Sequence, residues 1–137
     1  MSWDISIQDL PRNAHRVQDI PHDYQPKPLG PREEVIRRIL EVVPDVNFSD
    51  PSWGLLDDPC IEFNMGRDET CDSFMLHVRS SNAVDLIARL LDHLQLRGLD
   101  CQTGDFFSVE AAEASFGDWK AFRDRVVQKT QDEASDL

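Results

Sequence analysis

Two neighbouring segments carry the residue types and spacing that chemistry would need: Ile61-Glu62-Phe63-Asn64 and Phe74-Met75-Leu76-His77-Val78-Arg79. In both, apolar and polar side chains alternate, the two-residue period of a half-buried strand. Paired as a hairpin, they send Glu62, Asn64, His77 and Arg79 to one side of a sheet. One register sets Glu62 opposite His77 and Cys60 opposite Arg79. The next sets Glu62 opposite Arg79 and Asn64 opposite His77. Either brings a carboxylate beside a base, because opposed Cβ atoms lie about 4.5–5.5 Å apart. Such a group fits a general acid/base, His77 oriented by Glu62, with Arg79 gripping an anion. A first strand would add Asp4 and Ser6. The plainer reading is a solvated sheet face whose charge pairs contribute roughly 0.2–1 kcal/mol each. In a third reading, Trp119 and Phe122 of a C-terminal helix lie across the face and the polar cluster becomes a buried network.

The remaining candidates carry less. His15 and His22, with Asp19 and Asp23, lack the ligand spacing of metal sites, so no metal is expected. His93 falls late in a helix, where a dipole interaction accounts for it. Cys101 alternates with Asp100 and Gln102, a phase that points it toward the core, and no histidine adjoins it to make a nucleophile. Asp57-Asp58 and Arg67-Asp68-Glu69 lack the register of a calcium loop. Phosphate loops, a nucleophile elbow and zinc-protease motifs are absent from the sequence. No cofactor is expected and no catalytic residue is assigned.

The elements that must position this face follow from periodicity. Trp3, Ile5 and Ile7 alternate with Asp4, Ser6 and Gln8, giving a first strand. Residues 11–30 are proline-rich and aperiodic, with Ile20, Tyr24 and Leu29 expected to hold them against the body. A helix is predicted over 31–43, with proline in its first turn, an apolar stripe of Val35, Ile36, Ile39, Leu40 and Val43, and Pro44 as its stop. Residues 47–54 read as a turn anchored by Phe48 and Trp53. The hairpin 60–65 and 74–79 follows, joined by a polar loop. A second helix is predicted over 83–96, with Asn82 as N-cap, Asp85 three residues on, and Gly98 just past its end. A fourth strand is predicted over 99–103. Ser108 caps a last helix, interrupted at Gly117, with Trp119, Phe122 and Val126 on one face.

The order is β-α-β-β-α-β plus a C-terminal helix. That predicts an α+β, ferredoxin-like antiparallel sheet with its first and third strands central and both helices on one face. Residues 1–130 form a single domain and 131–137 a frayed tail.

The chain has 137 residues, with 14 basic against 26 acidic side chains and a formal charge of −12. Such a surface repels phosphate backbones, which excludes nucleic acid, and steers basic partners toward it. No apolar run approaches the ~20 residues needed to span a bilayer. The opening residues show no secretory signal, and Cys60, Cys71 and Cys101 form no CxxC pair, so a reduced, soluble cytoplasmic protein is expected.

The stretch Phe48-Ser49-Asp50-Pro51-Ser52-Trp53-Gly54, then Ile61-Glu62-Phe63-Asn64, the run 73–79 and the run Leu99-Asp100-Cys101-Gln102-Thr103-Gly104-Asp105-Phe106-Phe107 resemble a group of short bacterial proteins without an assigned activity. The resemblance covers residues 1–107. It implies a bacterial cytoplasmic protein and transfers no catalytic residue. The function expected is a non-catalytic domain that binds a protein partner through its acidic surface or the exposed sheet face. An immunity-type inhibitor of a basic toxin is one version. The rival is a small-molecule or enzymatic site at Glu62, His77 and Arg79. A homodimer formed through Trp119 and Phe122 is the third.

Overall fold

Alternation in the first strand becomes alternation of burial. In the computed structural model, which describes residues 2–112, β1 (Trp3–Gln8) buries Trp3, Ile5 and Ile7 and leaves Asp4, Ser6 and Gln8 half-buried. Its neighbours are β6 (Ser73–Val78) and β7 (Arg97–Asp100), both antiparallel to it. β4 (Ile61–Asn64) pairs antiparallel with β6, and β3 (Trp53–Leu56) with β4. β8 (Asp105–Phe106) closes the other side, giving the order β3-β4-β6-β1-β7-β8. The molecule is thus mixed α+β around a six-stranded antiparallel sheet. Four of those strands were expected. β3 and β8 were not, because Trp53-Gly54-Leu55-Leu56 sits among turn residues and β8 is two residues long.

A separate two-stranded ladder joins β2 (Gly30–Pro31) to β5 (Thr70–Cys71), so the loop expected between β4 and β6 is itself partly extended. This ladder ties down the end of the proline-rich segment, where Leu29 N–H donates to Cys71 O at 2.8 Å. Upstream, the Tyr24 hydroxyl donates to the Asp9 carboxylate at 3.0 Å, so this long connection does lie against the body.

The connection from β1 to β4 contains α1 (Arg32–Val42), and that from β6 to β7 contains α2 (Val84–Leu94). Val35 and Ile39 of α1 and Ile87, Leu90, Leu91 and Leu94 of α2 pack with the buried strand residues in one core. Each large side chain fully buried there, such as Phe63 or Leu76, stabilises the fold by about 1.5–3 kcal/mol. Both helices therefore cover the same sheet face.

Three details of the second helix and the strand after it depart from expectation. Asn82 does not cap α2: it lies in a 3-10 turn (Ser81–Ala83) and its side-chain amide donates to Asp58 at 3.0 Å. Gln95, not Gly98, takes the left-handed position after α2, at φ 55°. Leu96 N–H closes the end onto Leu91 O at 3.1 Å, and Arg12 grips Gln95 O at 2.6 Å, which offsets the cost of a side chain in that conformation. Gly98 instead lies inside β7, where an added Cβ would stand 2.9 Å from Ile5.

The strand also begins and ends earlier than 99–103. Its phase is also the reverse of the one expected, because Asp100 pairs with Ile5 on the packed face: Asp100 points inward at 2% exposure, and Cys101, past the strand's end, is exposed. The buried carboxylate accepts hydrogen bonds from Trp3 Nε1 at 3.0 Å and from Gln102 N–H at 2.9 Å. Cys60 is half-buried, Cys71 buried, and all three thiols are free. Ser108 caps as expected, its hydroxyl accepting from Ala111 N–H at 3.2 Å. The frayed tail, the break at Gly117 and the sticky face of Trp119, Phe122 and Val126 lie outside the described residues. No helix among the described residues is long and apolar enough to cross a membrane.

Candidate functional site

The face opposite the helices is organised in rows that run across the strands. Leu55, Glu62, His77 and Asp4 stand opposite one another on β3, β4, β6 and β1. Trp53, Asn64, Met75, Ser6 and Leu99 form the next row, extended onto β7. Of the two registers considered from sequence, the first is found. Glu62 is opposite His77, and Arg79 N–H donates to Cys60 O at 2.9 Å.

The partnership expected within that register is different. His77 is held by Asp4, with Nδ1 2.8 Å from Oδ1, and not by Glu62. Glu62 turns to Arg79, whose Nη2 and Nε donate to Oε2 at 2.9 and 3.2 Å. Reach explains the exchange. His77 has a carboxylate on either side, and the longer glutamate can swing to the guanidinium while the short aspartate serves the position directly opposite it. Asp4 is steadied in turn by the Ser2 hydroxyl at 2.6 Å. The pairs are partly wet, with His77 20% and Arg79 42% exposed in their side chains. Each therefore contributes at most about 1 kcal/mol.

Two members of this face were missed. Trp53 stacks on the His77 ring, centroids 5.5 Å apart and planes 19° apart. To do so it crosses β4 from the outer strand. Leu55 is exposed at 46%, one of the two large apolar side chains most open to solvent among the described residues. Their signal was available as the two-residue period of Trp53-Gly54-Leu55-Leu56, hidden by the turn residues before it. Ser6 accepts from the Gln8 amide at 3.2 Å.

The outer edge of β3 is closed. Leu55 N–H and C=O are both bonded to Asn47, at 3.0 and 2.8 Å, so strand addition at that position is blocked. At the other end of the face, residues 11–19 fold over β7 and β8. Arg97 stands 3.5 Å over the Phe106 ring and donates to the carbonyls of Pro11 and Ala14 at 2.8 and 2.7 Å. Burial draws the Arg97 guanidinium down from its ordinary value, against the opposing pull of Asp105. What stays open lies between Leu55 and Asp4.

Cys101 borders that area, its backbone N–H donating to Asp4 O at 3.1 Å. Partial burial of the thiol, and then the Asp4 carboxylate, push its pKa up, which disfavours a nucleophilic thiolate. His15 and His22 are exposed on the long connection, and Asp19 is spent on Arg16 N–H at 3.1 Å. His93 Nε2 lies 3.6 Å from Glu41 of the other helix. Among the described residues, no group of three or more His, Cys, Asp or Glu side chains could hold a metal ion.

No protein-family model matches the chain, and neither a curated protein nor a solved structure is significantly similar to it.

Proposed function

We propose that this chain is a non-catalytic protein-binding domain whose open sheet face receives a basic protein partner. The observation that carries the reading is the pairing of Leu55, 46% exposed, with a tryptophan laid across the same face and bordered by Glu62, Asp4 and Arg79. Tryptophan and arginine are the residues that most often dominate binding energy at interfaces, with a polar rim around an apolar centre. The formal charge of −12 supplies the complementarity, raising the encounter rate with a basic surface. An immunity-type inhibitor of a basic toxin fits this description. The order β4-β6-β1-β7, with a helix in each crossover, supports reading the core as ferredoxin-like, with β3 and β8 as additions. That arrangement serves many functions and chooses none of them.

A second reading has one observation in its favour. The carboxylate-held imidazole of His77, 2.8 Å from Asp4, is the geometry of a general acid/base, and with Glu62 and Arg79 it would form a small-molecule site. Against it, Arg79 already engages Glu62, and Trp53 covers the imidazole ring.

Affinity capture from native lysate, followed by reconstitution with the purified partner, tests the proposal. The expected result is a stoichiometric basic protein whose affinity falls with added salt and drops roughly 30-fold on Trp53→Ala. A partnerless monomer, or a complex indifferent to Trp53→Ala and to Glu62→Lys, overturns it.

A further inference from the structure

On the helix side of the molecule, away from the open sheet face, three segments enclose a cleft of about 640 Å³, within the range of small-molecule sites. They are the start of α1, the turn at Phe48 and Pro51, and the loop that carries β5. The lining divides into an apolar part, Phe48, Ile36, Pro31 and Pro51, and a charged part, Glu33, Glu69 and Arg32. We propose that this cleft binds a small organic amine, with its apolar body against Phe48 and the two prolines and its ammonium group between Glu33 and Glu69.

The walls are fixed without a ligand. Phe48 packs edge-on against Phe63 of the core, with ring centroids 6.0 Å apart. Behind it, Gly54 leaves room that a Cβ would take, since such an atom would lie 2.4 Å from the ring. Arg32 N–H donates to Glu69 O at 2.7 Å, and Pro31 pairs with Thr70, so helix and loop are tied at the mouth. The Asp50 carboxylate holds the turn at Pro51 by accepting from Ser52 N–H at 2.9 Å.

Charge decides the class of ligand. Arg32 is the one cation in the lining, and its Nη1 is committed to Gly66 O at 2.8 Å. The positive end of α1 adds about half a charge. Opposing them are Glu33 and Glu69, neither with a side-chain partner among the described residues, and Asp50 beside Pro51, whose field includes both Arg32 and Arg67. Three carboxylates stand against two arginines and about half a charge from the helix end, a small negative excess, and the two glutamates without side-chain partners place it where a cation would sit. Its apolar lining favours a cation with a carbon body over an inorganic ion.

Phenethylamine is the probe, and phenylacetate its charge-reversed counterpart, each titrated into the full ¹⁵N-labelled chain and followed by amide correlation spectra. The amine should shift the Arg32, Glu33, Ile36, Phe48 and Glu69 amides saturably and leave Asp4 and His77 unmoved. Glu33→Gln with Glu69→Gln should weaken it about tenfold while the thermal midpoint holds. Phenylacetate saturating the same amides equally well, shifts centred on Asp4 and His77, or no saturable shift at all overturns the proposal. None of these results bears on whether the sheet face binds protein.

Discussion

One sheet presents two faces built by different physics from the same backbone. Toward the helices, Trp3, Ile5, Ile61, Phe63, Leu76 and Val78 are each at most 1% exposed and are held by close packing. On the opposite side of the pleat, Asp4, Glu62 and His77 are held by hydrogen bonds of 2.8–2.9 Å and remain partly wet. The packed face supplies stability. The wet face contributes little to it, and so is free to vary for recognition.

Mutations sharpen that contrast. Phe63→Ala should cost about 3–5 kcal/mol in denaturant unfolding, whereas Glu62→Ala, its neighbour on the other face, should cost less than about 1 kcal/mol. Equal losses from the two would break the comparison. Trp3→Phe keeps most of the apolar volume yet strips the buried Asp100 of its indole donor, so a loss of roughly 2–3 kcal/mol is expected, read from the same unfolding curves. Gly54→Ala should cost about 1–2 kcal/mol, because Phe48 must shift to admit the methyl group; a crystal structure of the variant would show the displaced ring.

A smaller effect reports on the wet face directly. The Asp4 carboxylate disfavours the negative Cys101 thiolate, so its removal lowers the thiol pKa and raises the thiolate fraction at neutral pH. Asp4→Asn should speed alkylation of Cys101 severalfold, measured by peptide mass spectrometry, with the buried Cys71 unchanged. An unchanged Cys101 rate would mean that the two groups do not sense each other.

Most of the packed face was legible in the sequence, because an apolar residue every second or every third-to-fourth position has only one way to reach a core. The same rhythm narrowed the register of β4 against β6 to two, and the structure holds the one that sets Glu62 opposite His77. What escaped was decided by competition between equals. Asn82 had the type for a helix cap but found Asp58 instead. Asp100 and Cys101 exchanged places because the pairing of β7 with β1 decides which of its side chains face the helices, and no residue type announces that phase. His77 had two carboxylates in reach, and only the tertiary arrangement chose Asp4. Trp53 and Leu55, which define the candidate site most sharply, were masked by Asp50, Pro51 and Ser52, whose turn chemistry is real and simply ends one residue before the strand begins.

The central claim is that a partner docks on the open face, between Leu55 and Asp4. A photo-crosslinking phenylalanine analogue placed at Leu55, and separately at Arg89 on the exposed side of α2, tests it in the native cell. The account predicts one discrete adduct with a basic protein from position 55, none from position 89, and its loss when Trp53→Ala is added. An adduct formed equally from both positions, or only from position 89, would contradict it.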